Sequence, residues 1–514
     1  MQHITGIARN QMVFTSLEDS ISEDNSVRFV DAFVENIDLK ALGFELQTLK
    51  TEGRPSFNTQ TFLKIYLYGY LNGLRSSRKL ERECVRNIEL QWLLFGLVPN
   101  YHSISDFRKD NPSGLKKLFK VFVSFLKDAD LIAGEIIAID GTKSRAHNSK
   151  KANFNQKKID KHLAYIEEKT QQYLDELAQN DEKENSVTIT KIQEKIERLK
   201  KNKLRYEVLE EKLKASGEPQ ISTTDEDSRA LLVQGQVVEV SYNIQAAVDA
   251  QYNLVVATHT INRNDRNALS AIAVETKENL GVETFTALVD KGYHNGREIT
   301  QCKEENIITI VAHPDQGKSN ENGTQPDYFV SKFIYNSDDD TYTCPANQVL
   351  KTTGRWHKKT RDRDSYDFKK YRTPACKECP VKSLCTSRTG GREIDRSQYA
   401  DAVAENNQRY QSNAQLYRKR QEINEHIFGT IKRQWGYNHT NLTGLEKVNG
   451  EHSLIMLVYN IKRAINILGV PELIAKLKNW KSPYKAKGCF VFRETCFAFI
   501  LAHWKIHYQL QHKK

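Results

Sequence analysis

Apolar residues recur at helical spacing through the first 130 residues. Between Thr59 and Leu74 they fall at Phe62, Leu63, Leu67, Tyr70 and Leu74, which predicts a helix with one buried face. Gly53-Arg54-Pro55 predicts a turn just before it. A second helix is expected from Ser76 to about Leu90. Gly96 to Asn100, with Pro99, breaks the pattern. Ser103 or Ser105 offers a cap for a third helix through Phe107, stopped near Asn111-Pro112, and Leu115 to Leu126 makes a fourth.

The texture then changes. Glu135 to Asp140 is a short apolar run ending in an acid and predicts a buried strand. Residues 155–217 are rich in Lys, Glu and Gln, with a polar break near Asn180 to Ser186. Beyond the break Ile189, Ile192, Ile196 and Leu199 keep helical spacing, so the segment predicts an inserted helical hairpin. Val237 to Asp249 and Leu254 to Ile261 predict two strands joined by a hairpin, Asp265 to Leu280 a helix, and Phe285 to Asp290 and Ile307 to Ala312 two more strands. Residues 313–400 read as irregular, with polar and basic runs and four cysteines. Helices are expected over Ser412 to Trp435 and Leu445 to Leu468, the latter with Leu454, Leu457, Val458, Ile461 and Ile465 on one side. The elements imply a helical N-terminal domain (1–130), a mixed sheet with a helical insertion (131–312, insertion 155–217), a basic cysteine-containing insertion (313–400), the second part of the sheet domain (401–480) and a tail (481–514).

Composition adds a partner. The 514 residues carry 76 Lys plus Arg against 65 Asp plus Glu, a net charge of +11, and 39% hydrophobic residues leave room for a sizeable core. Such a surplus favours a polyanion such as nucleic acid. Met1 to Glu18 lacks the apolar core of a signal peptide. Cys489 to Trp504, interrupted by Arg493 and Glu494, is too short to span a bilayer. A cytoplasmic location without membrane contact is therefore expected, with the eight cysteines reduced or holding metal.

Asp140 and Asp290 each close a predicted strand. Two such acids on adjacent strands can share a hard cation through oxygen ligands, and two ions roughly 4 Å apart can activate a nucleophile and stabilise the leaving oxygen of a phosphodiester. A third carboxylate is expected from the helix around Tyr417 to Lys432. There Ile423, Ile427, Ile431 and Trp435 form a stripe spaced by four, and Glu425 and Lys432 lie seven apart, near one face. The competing acids are Asp225, Asp227, Asp249 and Asp265. Asp225 and Asp227 read as solvated loop acids, and Asp249 as a turn support. None of the four reads as a metal ligand.

Tyr417, Arg420, Glu425 and Lys432 resemble the Tyr-Arg-Glu-Lys signature of insertion-sequence DDE transposases, with one extra residue between arginine and glutamate. The strict spacing falls on Asn424, but the glutamate-to-lysine spacing is kept at Glu425. Ile139-Asp140-Gly141-Thr142-Lys143 and Val289-Asp290-Lys291-Gly292-Tyr293 resemble the motifs of the first and second aspartates. Tyr242 to Asp249 resembles a strand found between them. Gly53-Arg54-Pro55 and Ser105-Asp106-Phe107-Arg108 are similar to the group's helical N-terminal domain. The resemblance implies an α+β protein with an RNase H-like mixed sheet flanked by helices. It implies Mg²⁺ or Mn²⁺ held by Asp140, Asp290 and Glu425, with Tyr417, Arg420 and Lys432 on DNA phosphates. The implied partners are transposon terminal inverted repeats and target DNA, bound by a homodimer near the nucleoid. The alternative is a domesticated DNA-binding protein that keeps the fold without catalysis.

Two further groups stand out. Cys344, Cys376, Cys379 and Cys385 could give four thiolates to one structural Zn²⁺, with Pro345 and Pro380 after two of them; four reduced thiols in a surface loop is the plain reading. Arg75, Arg78, Arg82 and Arg86 stripe one helix face and fit either DNA or solvent. Trp356, among the basic residues 355–372, offers a ring for unstacked bases or an ordinary strand pairing.

Overall fold

The computed structural model describes residues 10–45, 56–181, 186–234, 237–313, 324–361 and 364–483, with positions 3, 6 and 8. The Gly53-Arg54-Pro55 turn and most of the tail after Ser482 lie outside the described residues. Asparagine caps organise the N-terminal helices. α1 (Ser26–Glu35), α2 (Thr59–Leu71), α4 (Ile88–Leu93) and α5 (Tyr101–Asp110) each start after an asparagine whose side chain accepts an orphan backbone N–H, namely Asn25, Asn58, Asn87 and Asn100. The single helix expected from Ser76 to Leu90 is therefore two. α3 (Ser77–Arg86) ends at Asn87, and that residue caps α4. Asn100, not a serine, starts α5, and α6 (Pro112–Asp128) follows with proline in its first turn.

The sheet domain begins with β1 (Ile136–Arg145), which continues five residues past Asp140. A short clasp of β2 (Asn153–Phe154) and β3 (Ile221–Ser222) closes the base of a hairpin made by α7 (Gln156–Asp181) and α8 (Ser186–Ser216). Ile159, Leu209, Leu213, Phe154 and Ile221 form its own small core. β4 (Arg229–Gln234), β5 (Val237–Asp249) and β6 (Leu254–Ile261) follow, then α9 (Leu269–Leu280), β7 (Phe285–Val289), α10 (Gly296–Glu304) and β8 (Ile307–Val311). The strand order is β4-β5-β1-β7-β8, with β6 also on β5. β1 runs antiparallel to β5 and parallel to β7, and β7 is parallel to β8.

The described residues from 324 to 400 are not irregular. They hold a second, antiparallel sheet of β9 (Ile334–Asn336), β10 (Thr341–Thr343), β11 (Val349–Arg361), β12 (Asp364–Arg372) and β13 (Ile394–Ser397), with the short α11 (Lys382–Cys385) between the last two. Among the described residues its core is Phe333, Tyr342, Leu350, Tyr371 and Ile394, about one apolar residue per strand, so no alternating pattern is visible in the chain. α12 (Ala400–Ser412) comes next, and the helix expected over Ser412 to Trp435 is α13 (Ala414–Phe428), which continues as a π-helical segment, Gly429–Gln434. α14 (Leu445–Leu468) and α15 (Val470–Asn479) complete the described chain.

One continuous core joins the N-terminal helices, the first sheet and α14. Asn460 of α14 pairs with the backbone of Val255 in β6, accepting its N–H at 2.9 Å and donating to its carbonyl at 2.7 Å. Among the described residues no single helix is long and apolar enough to cross a membrane.

At the centre of this core lies a fully buried acid. Glu451 pairs with Arg75 at 2.7 Å and lies 3.7 Å from Arg108, and it accepts the N–H groups of Asn441 and Leu442 at 2.9 and 3.1 Å. Burial alone would raise its carboxyl, but Arg108 and Arg75 outweigh that and hold it down to about 2. The neighbouring His452 is pushed down to about 4 by burial. Both groups bind protons more readily when unfolded, so both make the fold acid-labile. Stability should fall as pH drops from about 6.5, the unfolded histidine value, toward 4. It should fall again from about 4.3, the unfolded glutamate value, toward 2. Chemical denaturation at stepped pH should show a smaller upper step in His452→Gln than in the parent chain, since burial lowers His294, His426 and His439 as well. Glu451→Gln should cost about 3–5 kcal/mol at neutral pH by stranding two buried arginines. A midpoint equal to the parent's would show that the network carries no load.

Candidate active site

The parallel ladder between β1 and β7 ends at the pair Ile139 and Val289. Asp140 and Asp290 are the next residues on the two strands. β1 continues past its aspartate, whereas Asp290 leaves the sheet and caps a short 3₁₀ turn, accepting the N–H of Gly292. The two carboxylates share one cation. Arg420 of α13 places Nη1 3.4 Å from Asp140 Oδ2 and Nη2 3.2 Å from Asp290 Oδ1. Its guanidinium sits 5.6 Å from the ring centre of Tyr417, one helical turn back, and Tyr417 packs edge-on against Tyr410. Tyr417, Arg420 and Lys432 therefore have defined places: the tyrosine ring flanks the arginine, the arginine bridges the aspartates, and Lys432 reaches β1.

Asp140 is mostly buried, which raises its carboxyl to about 6 against the opposing pull of the Gly141 N–H and of Arg420. Lys432 donates to Thr142 Oγ1 at 3.1 Å and to the Lys143 carbonyl at 2.8 Å. Burial there pulls its ammonium below the usual lysine range. It sits in the π-helical segment, whose wider turn changes the face on which residues project; such segments occur often at functional sites.

Glu425 departs from the expectation of a converged triad. Its side chain is exposed and accepts from Gln421. Among the described residues no three His, Cys, Asp or Glu side chains are gathered closely enough to hold one ion. The reason is helical phase. Five residues separate Glu425 from Arg420, a rotation roughly 140° away from the arginine's direction. Asn424, four residues on, takes the inward face and is 2% exposed, with neither amide atom hydrogen-bonded. The same limit applies to the cysteines. Cys344, Cys376, Cys379 and Cys385 all line one small cavity at the edge of the second sheet, yet they are not drawn to metal-binding distance. Burial raises the Cys385 thiol, and the N–H of Gln348 donates to Cys344 Sγ at 3.2 Å.

The expected DNA contacts divide. Arg75 is committed to Glu451 and to the His439 carbonyl, so it faces the core and not a groove. Arg78 is exposed over the ring of Tyr101, and Arg82 is exposed. Trp356 is 51% exposed on β11, with Lys369 over its ring at 5.2 Å.

Sequence reasoning also misplaced two acids. Asp225 is not a solvated loop residue: it is 2% exposed and accepts from Tyr242 and from the Gly444 N–H. Asp227 accepts the Leu445 N–H at 2.8 Å and so helps start α14. Asp249 does support its turn, accepting from Gln251 and Gly134. Asp265 was the acid most undervalued. It receives Lys143, Asn243 and Gln245 directly beside the aspartate pair. The available signal was the alternation of Glu239, Ser241, Asn243 and Gln245 on β5, which carries a polar row deep into a buried strand.

Residues 343–465 match the family model described as a transposase DDE domain, and residues 15–110 match a transposase domain, DUF772. The chain is an insertion-sequence DDE transposase. No curated protein and no solved structure matches it. The first match spans β11, β12 and β13 of the second sheet, α12, α13 and most of α14, so Tyr417, Arg420, Glu425 and Lys432 of this transposase lie inside it; Asp140 and Asp290 lie in neither match.

The packing around Asp140 makes a sharp demand on Gly141. A methyl there would lie 2.4 Å from Gln245 Nε2, 2.6 Å from Asp265 Oδ1 and 2.8 Å from Asn243 Oδ1. Gly141→Ala should cost about 1–3 kcal/mol as an overpacked site and lower the melting temperature by several degrees. Melting at the parent temperature would mean that the amide cluster is looser than described.

Proposed function

We propose that this transposase cleaves the ends of its element and joins the exposed 3′-hydroxyl to target DNA, with Asp140, Asp290 and Glu425 holding divalent metal. The observation that carries the reading is the shared cation. Two carboxylates beyond the last parallel pair of adjacent strands enclose one positive group, and a guanidinium stands where a cation is wanted. The donor set is all oxygen, as Mg²⁺ or Mn²⁺ requires. Bound metal would supply a polarised nucleophile and a stabilised leaving oxygen. Glu425 is the third carboxylate by its place in the signature. Bringing it to the pair needs α13 to turn, and the π-helical segment next to it gives that turn a place to be absorbed. Freed from the aspartates, Arg420 would become a phosphate ligand beside Tyr417. Lys432, Arg78, Arg82 and Trp356 are the remaining proposed DNA contacts. The sheet order β6-β5-β1-β7-β8, with β1, β7 and β8 parallel, supports an RNase H-like core. Two ends joined together favour a homodimer on DNA.

DNA carrying the element's terminal repeats tests the reading. The parent chain should nick and join it with Mg²⁺ or Mn²⁺, and Asp140→Ala, Asp290→Ala and Glu425→Ala should each lose cleavage by a thousandfold or more while still shifting labelled ends in a gel. Such losses are what removal of an essential electrostatic group costs, about 10²–10³ or more per group. Near-parental cleavage by one variant removes that residue from the site. End binding by the parent with no metal-dependent cleavage favours the non-catalytic DNA-binding alternative.

We also propose that Cys344, Cys376, Cys379 and Cys385 close on one structural Zn²⁺, which would tie β10 and α11 together where the sheet has little core of its own. Metal analysis should find about one zinc per chain, at thiolate distances of about 2.3 Å. The Cys376→Ser, Cys379→Ser double variant should lose it. A zinc-free parent prepared without chelator would leave four ordinary thiols.

A further inference from the structure

We propose that Asp265 is a positioning residue that holds Lys143 away from the Asp140–Asp290 pair and so keeps the pair open to a divalent cation. The inference rests on the metal reading of that pair.

Lys143 stands three residues after Asp140 on β1, with a side chain only 10% exposed. It is the cation carried by the same strand as Asp140, and its ion pair is with Asp265 on the other face of that strand. Its Nζ lies 3.2 and 3.1 Å from the two oxygens of Asp265 and so straddles that carboxylate. Asp265 is fixed in turn from the other side. Asn243 Nδ2 donates to Oδ1 at 2.7 Å and Gln245 Nε2 donates to the same oxygen at 3.0 Å. Both amides are fully buried on β5. Gln245 is oriented by Tyr293, whose hydroxyl donates to its Oε1. Asn243 is oriented by a second donation, to the Arg263 carbonyl at 2.9 Å.

The register explains why these groups meet. Gly141 pairs with Gln245 and Lys143 with Asn243 across the β1–β5 ladder, so all four residues share one face. Asp140 and Thr142 alternate to the other face, toward Arg420 and Lys432. Gly141 has no side chain, and the space is taken by the Asp265 carboxylate and its two amides. Gly292, the second residue after Asp290, leaves a similar opening: a methyl there would lie 3.9 Å from Asp265 and 3.7 Å from Asp290 Oδ2. Asp265 thus sits behind both aspartates, in contact with the glycine that follows each. One cation is presented to the pair by α13 and can leave with that helix; the other is built into the same strand as Asp140 and cannot. A fixed carboxylate is what removes the second from competition.

Mn²⁺ binding to the full chain, read from the electron-spin-resonance signal of free Mn²⁺, tests this without DNA or turnover. Asp265→Asn keeps the shape and frees Lys143, so the dissociation constant for Mn²⁺ should rise about tenfold or more. Lys143→Met alone should bind Mn²⁺ as tightly as the parent or tighter, and the Asp265→Asn, Lys143→Met double variant should recover to within about threefold of the parent. That recovery separates a charge effect from a damaged fold, because a structural role for Asp265 would leave the double variant as weak as the single one. Parental binding by Asp265→Asn, a double variant without recovery, or weakened binding by Lys143→Met would each overturn the inference. Asp140→Asn is the control. Its loss of Mn²⁺ binding alongside parental binding by Asp265→Asn overturns this inference alone. Parental binding by Asp140→Asn overturns the metal reading of the pair and this inference with it. If Asp265→Asn does not fold, the Lys143→Met isotherm still decides.

Discussion

Three carboxylates gathered at one sheet edge repel one another, and that repulsion has to be met before anything else can be built there. Asp140 shows it: burial raises its carboxyl, and the charges of Asp290 and Asp265 add to the rise. Two cations answer it from opposite faces of β1. Arg420 closes over the first two acids and thereby fixes where α13 lies against the sheet. Lys143 closes over the third and thereby fixes the polar face of β5. The helix, the strand register and the glycine after Asp140 each follow from keeping these charges paired. The solution is local and does not use the distant basic surplus of the chain.

A second buried charge cluster has a different duty. Glu451, Arg75 and Arg108 bind α14 to two N-terminal helices, together with Tyr70, which receives Arg108 at 2.8 Å. The N-terminal helices are thus clamped to the sheet domain through a charged network as well as through the shared apolar core. An arginine stripe on a helix invites a reading as a DNA-facing surface, but stripes have a beginning. Arg75 lies before the first turn of α3, where the chain is still turning inward. Only the later arginines look outward.

Much of the sheet domain was legible in the chain. The two aspartate-bearing strands, the β5–β6 hairpin and the long helical insertion all come from strong local patterns, and the structure keeps them with shifts of a few residues. The second sheet was not legible, because a sheet with about one core residue per strand leaves no period to read. Within the site, the structure brings Asp140, Asp290 and Arg420 together, whereas the direction of Glu425 does not follow from its place in the sequence. Glu425 and Lys432 are seven apart, which places them on one face only if every turn between them is an ordinary α-turn. The π-helical segment breaks that assumption, and nothing in Gly429 to Gln434 announces it. Asp265 was hidden for another reason: it reaches the site from the loop after β6, so its neighbours are distant in sequence and only the sheet register brings them together.

The insertion between β1 and β5 also bears on how the chain finds its fold. The central ladder pairs segments separated by roughly a hundred residues, and bringing such distant ends together costs conformational entropy that grows with the logarithm of the loop. The α7–α8 hairpin is made of local contacts and carries its own small core, with the β2–β3 clasp at its base. Once it forms, the two ends of the insertion are already neighbours, and the effective loop shrinks to residues 146–152 and 223–240, about a quarter of its length. Two halvings of loop length are worth about 1.2 kcal/mol by this logarithmic rule, and contacts that form locally also form fast. The hairpin therefore acts as a temporal guide: an early local structure that delivers the strand of the first aspartate to its partner.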